Sequence, residues 1–486
     1  MRAMSLTLVL FTNLALAGCA TYSSERLDVP DALGATRLAS QPSTATVKPG
    51  LSIVRWWTAY DDENLDRLVS EALAHNQDLD IALARVHQAQ AVVDQARSAS
   101  LPSLDAQWRS GRAQQSGVGA TPIPPGVDRR ATEHQASLNA NYEVDLWGRL
   151  SSTTASARYQ LLATEWARAS VEWSLTAQVT QTYFALAALD RQLQISESVR
   201  AGRRQTLRMR MRDYEVGTGN EFDLRRAESE LTSTDASIAE LLRQRISLEA
   251  SMLLLLGRTP QEIVAGTLPR RSLDERVTLS NVLPQGDASR MLLRRPDIRQ
   301  AEAQLRAASA DLDAARAATL PALRLSGSIG SDARSISDLF SGPAFIWSLA
   351  ANASQSIFDG GKLRAHVREN EARGDEQVAT YRKTVASALL DVREAYATLD
   401  VRQQALDAER GRVAALDRAR ELAQVGYDSG AFSYLDLLDA ERNWYQAQLD
   451  QVSAYRDQLF GQIATFKALG GGYDPARTPE PTHANQ

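Results

Sequence analysis

Tyr427-Asp-Ser-Gly-Ala-Phe-Ser-Tyr-Leu-Asp-Leu-Leu-Asp-Ala-Glu441 is a short turn between two long helical runs, and its pattern also stands 213 positions upstream. Tyr214 aligns with Tyr427, Gly217 with Gly430, Asp223 with Asp436, Ala227 with Ala440 and Glu228 with Glu441. Two copies of one helical hairpin describe a chain built by duplication. The hairpin tips are the first place to look for function.

Working outward from the first tip, the stretch from about Leu150 to Tyr214 contains no proline. Tyr159, Trp166 and Trp173 recur at seven-residue spacing, the heptad signature of coiled-coil packing. At 1.5 Å per residue such a helix is roughly 100 Å long. Val216-Gly-Thr-Gly219 reverses the chain, and a second helix runs from about Glu221 to Leu256, where Gly257 ends it. In the second copy a comparable long helix reaches Tyr427, and its partner continues to Leu469-Gly470.

Each copy also carries a shorter helical run. The first spans Asp61 to Ser100, with Leu65, Leu68, Val69, Ala72 and Leu73 at three-and-four spacing, and stops at Leu101-Pro102. The second spans Asp287 to Thr319 and stops at Leu320-Pro321. Arg295-Pro296-Asp297-Ile298 matches Asn76-Gln77-Asp78-Leu79 in the same register.

Between short and long helices the period changes to two. Leu104, Ala106 and Trp108 alternate with Asp105, Gln107 and Arg109. Beyond a Pro- and Gly-rich loop, Leu138, Ala140, Tyr142 and Val144 alternate with Asn139, Asn141 and Glu143. The second copy repeats this with Leu323, Leu325, Gly327 and Ile329, then Trp347, Leu349, Ala351 and Ala353. Each hairpin has one apolar and one polar face, and strands of about ten residues suit a tilted membrane crossing. No later stretch is long and apolar enough for a membrane helix, so a mature chain that spans a membrane must do so with strands. Four strands cannot close a barrel, so the chain must oligomerise with ring closure.

The chain has 486 residues, a net charge of −5 and one cysteine. The acidic balance lacks the basic stripe of a nucleic-acid binder. A disulfide within the chain is impossible. Residues 1–18 join a charged start to an apolar run and end Leu16-Ala17-Gly18 before Cys19, a secretory signal. Leu-Ala-Gly-Cys resembles the lipobox of bacterial lipoproteins, which implies cleavage before Cys19 and its acylation (palmitate). Ala20 is not the aspartate of inner-membrane retention, so the outer membrane is favoured.

The duplicated plan, Arg294-Arg295-Pro296-Asp297-Ile298, Phe358-Asp359-Gly360-Gly361 and the Tyr427–Glu441 stretch together resemble the TolC-type outer-membrane efflux family, in its lipidated OprM or NodT-like branch. The resemblance implies an α+β membrane protein. It would be a homotrimer with a 12-stranded outer-membrane β-barrel continued by a long periplasmic α-helical barrel. The organisation then reads as a signal peptide 1–18 and a lipid-anchored tether and equatorial segment 19–60. Repeat 1 is 61–258, with a β-hairpin 102–147 and a helical hairpin 149–257. An equatorial connector 259–286 precedes repeat 2, 287–470, with a β-hairpin 321–360 and a helical hairpin 362–470. The tail 471–486 reads as disordered. Trp56-Trp57, at the end of the tether, is expected on the protein body or at a membrane interface.

Asp436 and Asp439 stand three apart at a helix start and share a face. Acids there also suit the helix dipole. The resemblance adds that they face the pore at the periplasmic tip, where three copies would form a cation-attracting ring. Asp223 is the counterpart of Asp436, whereas Arg226 stands at the place of Asp439. Arg225 or Arg226 is expected to bond the Tyr427–Asp439 hairpin and hold the entrance shut. The small tip residues Gly217, Thr218, Gly219, Gly430 and Ala431 are expected to dock a periplasmic adaptor (membrane fusion) protein.

The five histidines are scattered and no P-loop is present, so no metal, no cofactor and no enzymatic site is expected. Energy must come from a partner, an inner-membrane pump of the proton-driven RND type. The reading is a passive duct exporting drugs, toxic compounds or metals. Its alternatives are the duct of a type I protein secretion system and a lipid-anchored coiled-coil envelope protein without a pore. The two alternating hairpins argue against the last.

Overall fold

The computed structural model describes residues 54–116, 118, 124, 126, 128–265, 268, 270, 273 and 294–471. The signal peptide, Cys19, most of the tether, most of the connector and the tail beyond 471 lie outside the described residues. The strands are β1 (Ser103–Gln114), β2 (Arg130–Val144), β3 (Ala322–Ala333) and β4 (Phe345–Ser354). The helices are α1 (Glu63–His75), α2 (Gln77–Ser98), α3 (Arg149–Glu215), α4 (Glu221–Leu255), α5 (Pro260–Ala265), α6 (Pro296–Ala317), α7 (Lys362–Asp428) and α8 (Tyr434–Ala468). The duplication is visible in these lengths. Both α3 and α7 have 67 residues, α4 and α8 have 35, and α2 and α6 have 22.

The chain forms two compact units. The first contains Ala89–Leu161 and Glu302–Thr380, and the second the described parts of 31–88, Leu162–Ala301 and 381–486. The first unit is built on an antiparallel sheet in the order β1-β2-β3-β4. Register carries the sequence alternation across all four strands. Ala106 pairs with Leu138, Leu138 with Ile329 and Ile329 with Trp347, a continuous apolar row. One step along, Asp105, Asn139, Ser328 and Ser348 form a polar row on the other face, and the two serine hydroxyls lie 2.8 Å apart. Trp108, Ile329, Trp347 and Leu349 are all exposed. Within this chain β1 and β4 each have one unpaired edge.

The small residues of Ser326-Gly-Ser-Ile-Gly330 differ in what they do. A Cβ on Gly330 would stand 2.3 Å from the Ala136 carbonyl oxygen, so the β2–β3 approach requires glycine there. A Cβ on Gly327 would make only an ordinary contact, 3.7 Å from Leu349. The turns leaving the sheet are capped alike. Asp145 accepts from the Leu150 and Ser151 amides, and Asp359 from the Gly361 and Leu363 amides.

The second unit is helical. The expected single helix from Asp61 to Ser100 is two, because Asn76 has extended geometry (φ −67°, ψ 128°). Its amide group spans the break: Oδ1 accepts from the Asp78 amide at 2.9 Å and Nδ2 donates to the Leu255 carbonyl at 2.8 Å. The matching position before α6 has different chemistry. Arg295, 2% exposed, donates to the Ala468 carbonyl and pairs with Asp297 and Asp391. Gly257 (φ +70°) and Gly470 (φ +74°) end α4 and α8 beside these two residues.

Trp56 and Trp57 lie in a 3₁₀ turn (Trp56–Tyr60) and are buried in the core of this unit, which decides for the protein body. Trp56 stacks on Phe466 with ring centroids 5.3 Å apart. Asp62 caps α1 and accepts a 2.6 Å bond from the Tyr183 hydroxyl. Of the heptad aromatics, Trp173 is buried with Trp166 packed against it, and the Trp173 indole donates to the Lys467 carbonyl. Among the described residues no helix is long and apolar enough to cross a membrane.

Gly257→Ala should destabilise the protein more than Gly430→Ala. Both glycines have positive φ, which costs an alanine about 1–2 kcal/mol. Only at Gly257 would the Cβ also meet backbone, 1.8 Å from the His75 oxygen, whereas Gly430 faces open space. Thermal unfolding of the full chain in detergent, followed by circular dichroism, measures the ranking. Equal midpoints would show that the α1–α4 junction yields freely.

Candidate functional site

The two hairpin tips share one backbone. At the first, the Thr218 amide donates to the Asp213 carbonyl (2.9 Å) and Gly217 to Tyr214 (3.1 Å). At the second, Ala431 donates to Gly426 (2.8 Å) and Gly430 to Tyr427 (2.9 Å). These are the same bonds, 213 positions apart, and φ is +78° at both Gly217 and Gly430. Each turn exposes its small residues and hands the chain to a capped helix. Asn220 caps α4 through the Asp223 amide at 2.7 Å. Ser433 caps α8 in a reciprocal capping box with Asp436.

Packing beneath the turns is exchanged between copies. A Cβ on Gly219 would lie 2.9 Å from the Asp213 Cβ, so the first tip has its side chain at position 213. In the second tip the large residue is Phe432, in the place of Gly219, and the small one is Gly426, in the place of Asp213. A Cβ on Gly426 would lie 2.3 Å from the Phe432 ring. The same backbone turn is filled from opposite ends.

Asp436 is fully exposed. The Ser433 hydroxyl, followed by its backbone N–H, holds the carboxyl below the usual carboxylate range. It is therefore ionised at neutral pH. The support it gives the start of α8 is complete above the ordinary carboxylate pKa and is lost as pH falls through the depressed value. Asp439, one turn on, is exposed and has no polar partner among the described residues. Asp223 accepts from the Asn220 side chain at 2.8 Å.

The expected bond from Arg225 or Arg226 to the second hairpin is not formed in this chain. Arg225 pairs with Glu221 and Glu228, one turn away on its own helix. Arg226 lies over the Phe222 ring at 5.8 Å. Both have nearer partners at helical spacing, which costs less side-chain entropy than reaching a second hairpin. The cation on Tyr427 is Arg210. Its guanidinium donates to the Tyr427 hydroxyl and lies 5.1 Å and 4.5 Å from the Tyr427 and Tyr434 ring centroids. The other side of the guanidinium reaches Asp213 at 3.3 Å, the residue whose carbonyl closes the first tip. One arginine thus ties the two tips of the chain. Burial pushes the Tyr434 phenol up, and Arg210 opposes the shift.

A signal for Arg210 lies in the sequence. It stands one helical turn before Tyr214, and its counterpart in the second copy is Ala423. Below the tips, Arg203 pairs with Glu230, and Arg420 lies over Trp444 at 4.5 Å. Arg203, Arg420, Trp444 and Glu441 line a cavity of about 310 Å³. Burial pushes the Glu441 carboxyl up, against the pull of Arg203 and Arg420.

The sequence matches the family described as outer membrane efflux protein over residues 68–258 and 288–471. It is 34% identical over 415 residues to the solvent efflux pump outer membrane protein SrpC of Pseudomonas putida, covering 85% of this chain and 86% of that one. It is 29% identical over 463 residues to the cation efflux system protein CusC of Escherichia coli (strain K12), covering 94% and 97%. Among solved structures, the CmeC outer membrane channel of Campylobacter jejuni has the same fold. The TM-score is 0.85 at 24% identity, over 91% of this chain and 92% of that one.

Arg210→Met should loosen the second tip. A hydrogen bond from a charged group contributes about 1.5–3 kcal/mol and each cation–π contact about 0.5–1 kcal/mol, so amide exchange across 427–436 should accelerate at least roughly tenfold. Arg210→Lys should restore part of the protection, since a point charge cannot serve hydroxyl, ring and carboxylate together. Unchanged exchange in Arg210→Met would remove Arg210 as the tie.

Proposed function

We propose a route for solutes on one premise: the chain belongs to the outer membrane efflux protein family. It is the outer-membrane channel component of a tripartite efflux system, working with an adaptor and an inner-membrane pump, and it extends from the outer membrane into the periplasm. Its four strands cannot close a barrel alone, and three copies supply the family's twelve. The observation that carries the duct reading is this sheet, with one apolar row, one polar row and an unpaired edge on each side. Lipid takes the apolar row and water the polar one.

The hairpin tips are the inner mouth of the duct. Asp436 and Asp439 of three copies form the constriction, and Asp223 and Arg226 line its rim. The Arg210–Tyr427 tie holds each chain's second hairpin against its first. Release of that tie in three copies widens the mouth. Gly217, Thr218, Gly219, Gly430 and Ala431 present exposed backbone to the adaptor, which has room to approach because no side chain covers Gly217 or Gly430. The pump is of the proton-driven RND type, and the exported solutes are small molecules: drugs, toxic compounds or metals. Cys19 carries the lipid anchor. Relatives that handle solvents and cations share this scaffold, in keeping with selectivity residing in the pump. Two carboxylates per chain at a narrow mouth attract cations and retard anions.

Full-length trimers in planar bilayers test the reading. Wild-type channels should be cation-selective. Asp436→Ala/Asp439→Ala channels should lose most of that selectivity and conduct more. The double variant also removes the α8 cap, so Asp439→Ala alone, which leaves the capping box intact, should produce an intermediate loss. Wild-type selectivity in both variants rules out the ring.

A further inference from the structure

A second cavity, of about 560 Å³, lies within the first unit. Its size is that of a small-ligand site, roughly 300–1,000 Å³. Trp147 and Ser152 line it beside the start of α3, Asp313, Arg316 and Leu320 from α6 and the turn after it, and Arg364, Val367, Arg368 and Glu371 from α7. It adjoins the sheet directly. Trp147 follows the last residue of β2 by three positions, and its indole donates to the Pro321 carbonyl at 2.7 Å, one residue before β3 begins. Both Trp147 and Leu320 are exposed. The cavity therefore stands where the membrane-spanning strands end and the helices start.

Its charge is uneven. Arg316 is engaged by Glu371 at 3.4 Å. Arg364 and Arg368, one turn apart on the same face of α7, have no carboxylate or hydrogen-bond partner among the described residues. Like charges at this spacing repel unless an anion lies between them. Elsewhere on the same helix Arg373 pairs with Glu369 and Arg410 with Asp407. Burial pushes the Asp313 carboxyl up, against the pull of Arg316. The remaining lining is an indole, Leu320, Val367 and the hydroxyls of Ser152 and Thr319. Paired guanidinium groups beside an indole and aliphatic side chains, at the end of membrane strands, have the chemistry of an anionic lipid site.

We propose that this cavity binds the headgroup phosphate of an anionic phospholipid, held by Arg364 and Arg368, with the first carbons of an acyl chain on Trp147, Leu320 and Val367. Each chain then has a lipid contact separate from the anchor at its N-terminus. The occupied site fixes the depth at which the sheet meets the helices.

Native mass spectrometry of the full-length trimer in detergent, titrated with phosphatidylglycerol or phosphatidylcholine, tests this. Phosphatidylglycerol should saturate at one tightly held molecule per chain, with phosphatidylcholine at least about tenfold weaker. Arg364→Gln/Arg368→Gln should weaken phosphatidylglycerol roughly twentyfold, and Arg364→Lys/Arg368→Lys should retain most of the affinity. Trimer mass and circular dichroism confirm that each variant is folded. Equal binding of the two lipids, or wild-type binding in the glutamine variant, overturns the proposal. Displacement of the lipid by millimolar inorganic phosphate would identify a free-phosphate site and overturn the lipid assignment. A lower trimer melting temperature in the glutamine variant with no change in lipid count would assign the cavity to a neighbouring copy, which also overturns it.

Discussion

Backbone amides and carbonyls in a hydrocarbon layer have to find their partners within protein, because no water is there to take them. Most of what is unusual about this chain follows from that requirement. Its sheet has four strands, too few to curl onto itself, so β1 and β4 must find β4 and β1 of other copies. The face alternation is held in register from β1 to β4, and Gly330 permits the close approach that keeps β3 aligned with β2. A slip of one residue would turn Trp347, Ile329 and Leu138 into the lumen and Asn139 into lipid. Register, oligomer and pore are therefore one constraint.

Duplication supplies a backbone used twice, and divergence supplies the chemistry. The tip turns share their hydrogen bonds and the left-handed glycine, yet Asp213 and Gly219 in one copy stand against Gly426 and Phe432 in the other. At the helix junctions an asparagine and an arginine reach the same backbone carbonyl position. Arg210 against Ala423 is the difference with the most consequence, since it turns two similar hairpins into an unequal, connected pair. Perfect copies would provide a duct wall. Unequal ones can carry a latch.

Side chains that act through a distant partner leave little local signal in the sequence. The break at Asn76 leaves almost no mark on apolar spacing, because the helices on either side continue the same polar and apolar residue types. What breaks the run is the Leu255 carbonyl, 179 positions away, which competes for the asparagine amide. Trp56 and Trp57 follow a polar tether and suit a membrane interface as well as a core. Phe466, from the far end of the chain, decides between them by stacking on Trp56. Within one chain Arg225 and Arg226 do not reach the second hairpin for a related reason. Glu221, Glu228 and Phe222 lie one turn away on α4 and engage both side chains there.

The sequence by itself determined the duplicated plan, the helical and strand periods, the two-faced hairpins and the family, because each is a local or repeating pattern along one chain. The same holds for the tip motif, since left-handed glycines and capping residues act within a few positions. Only the tertiary structure decided which cation meets Tyr427, where α1 stops, and that Arg364 and Arg368 share a cavity with Trp147. Those are contacts between segments far apart in sequence, selected by distance and by competition among several possible partners. Periodicity has no knowledge of either.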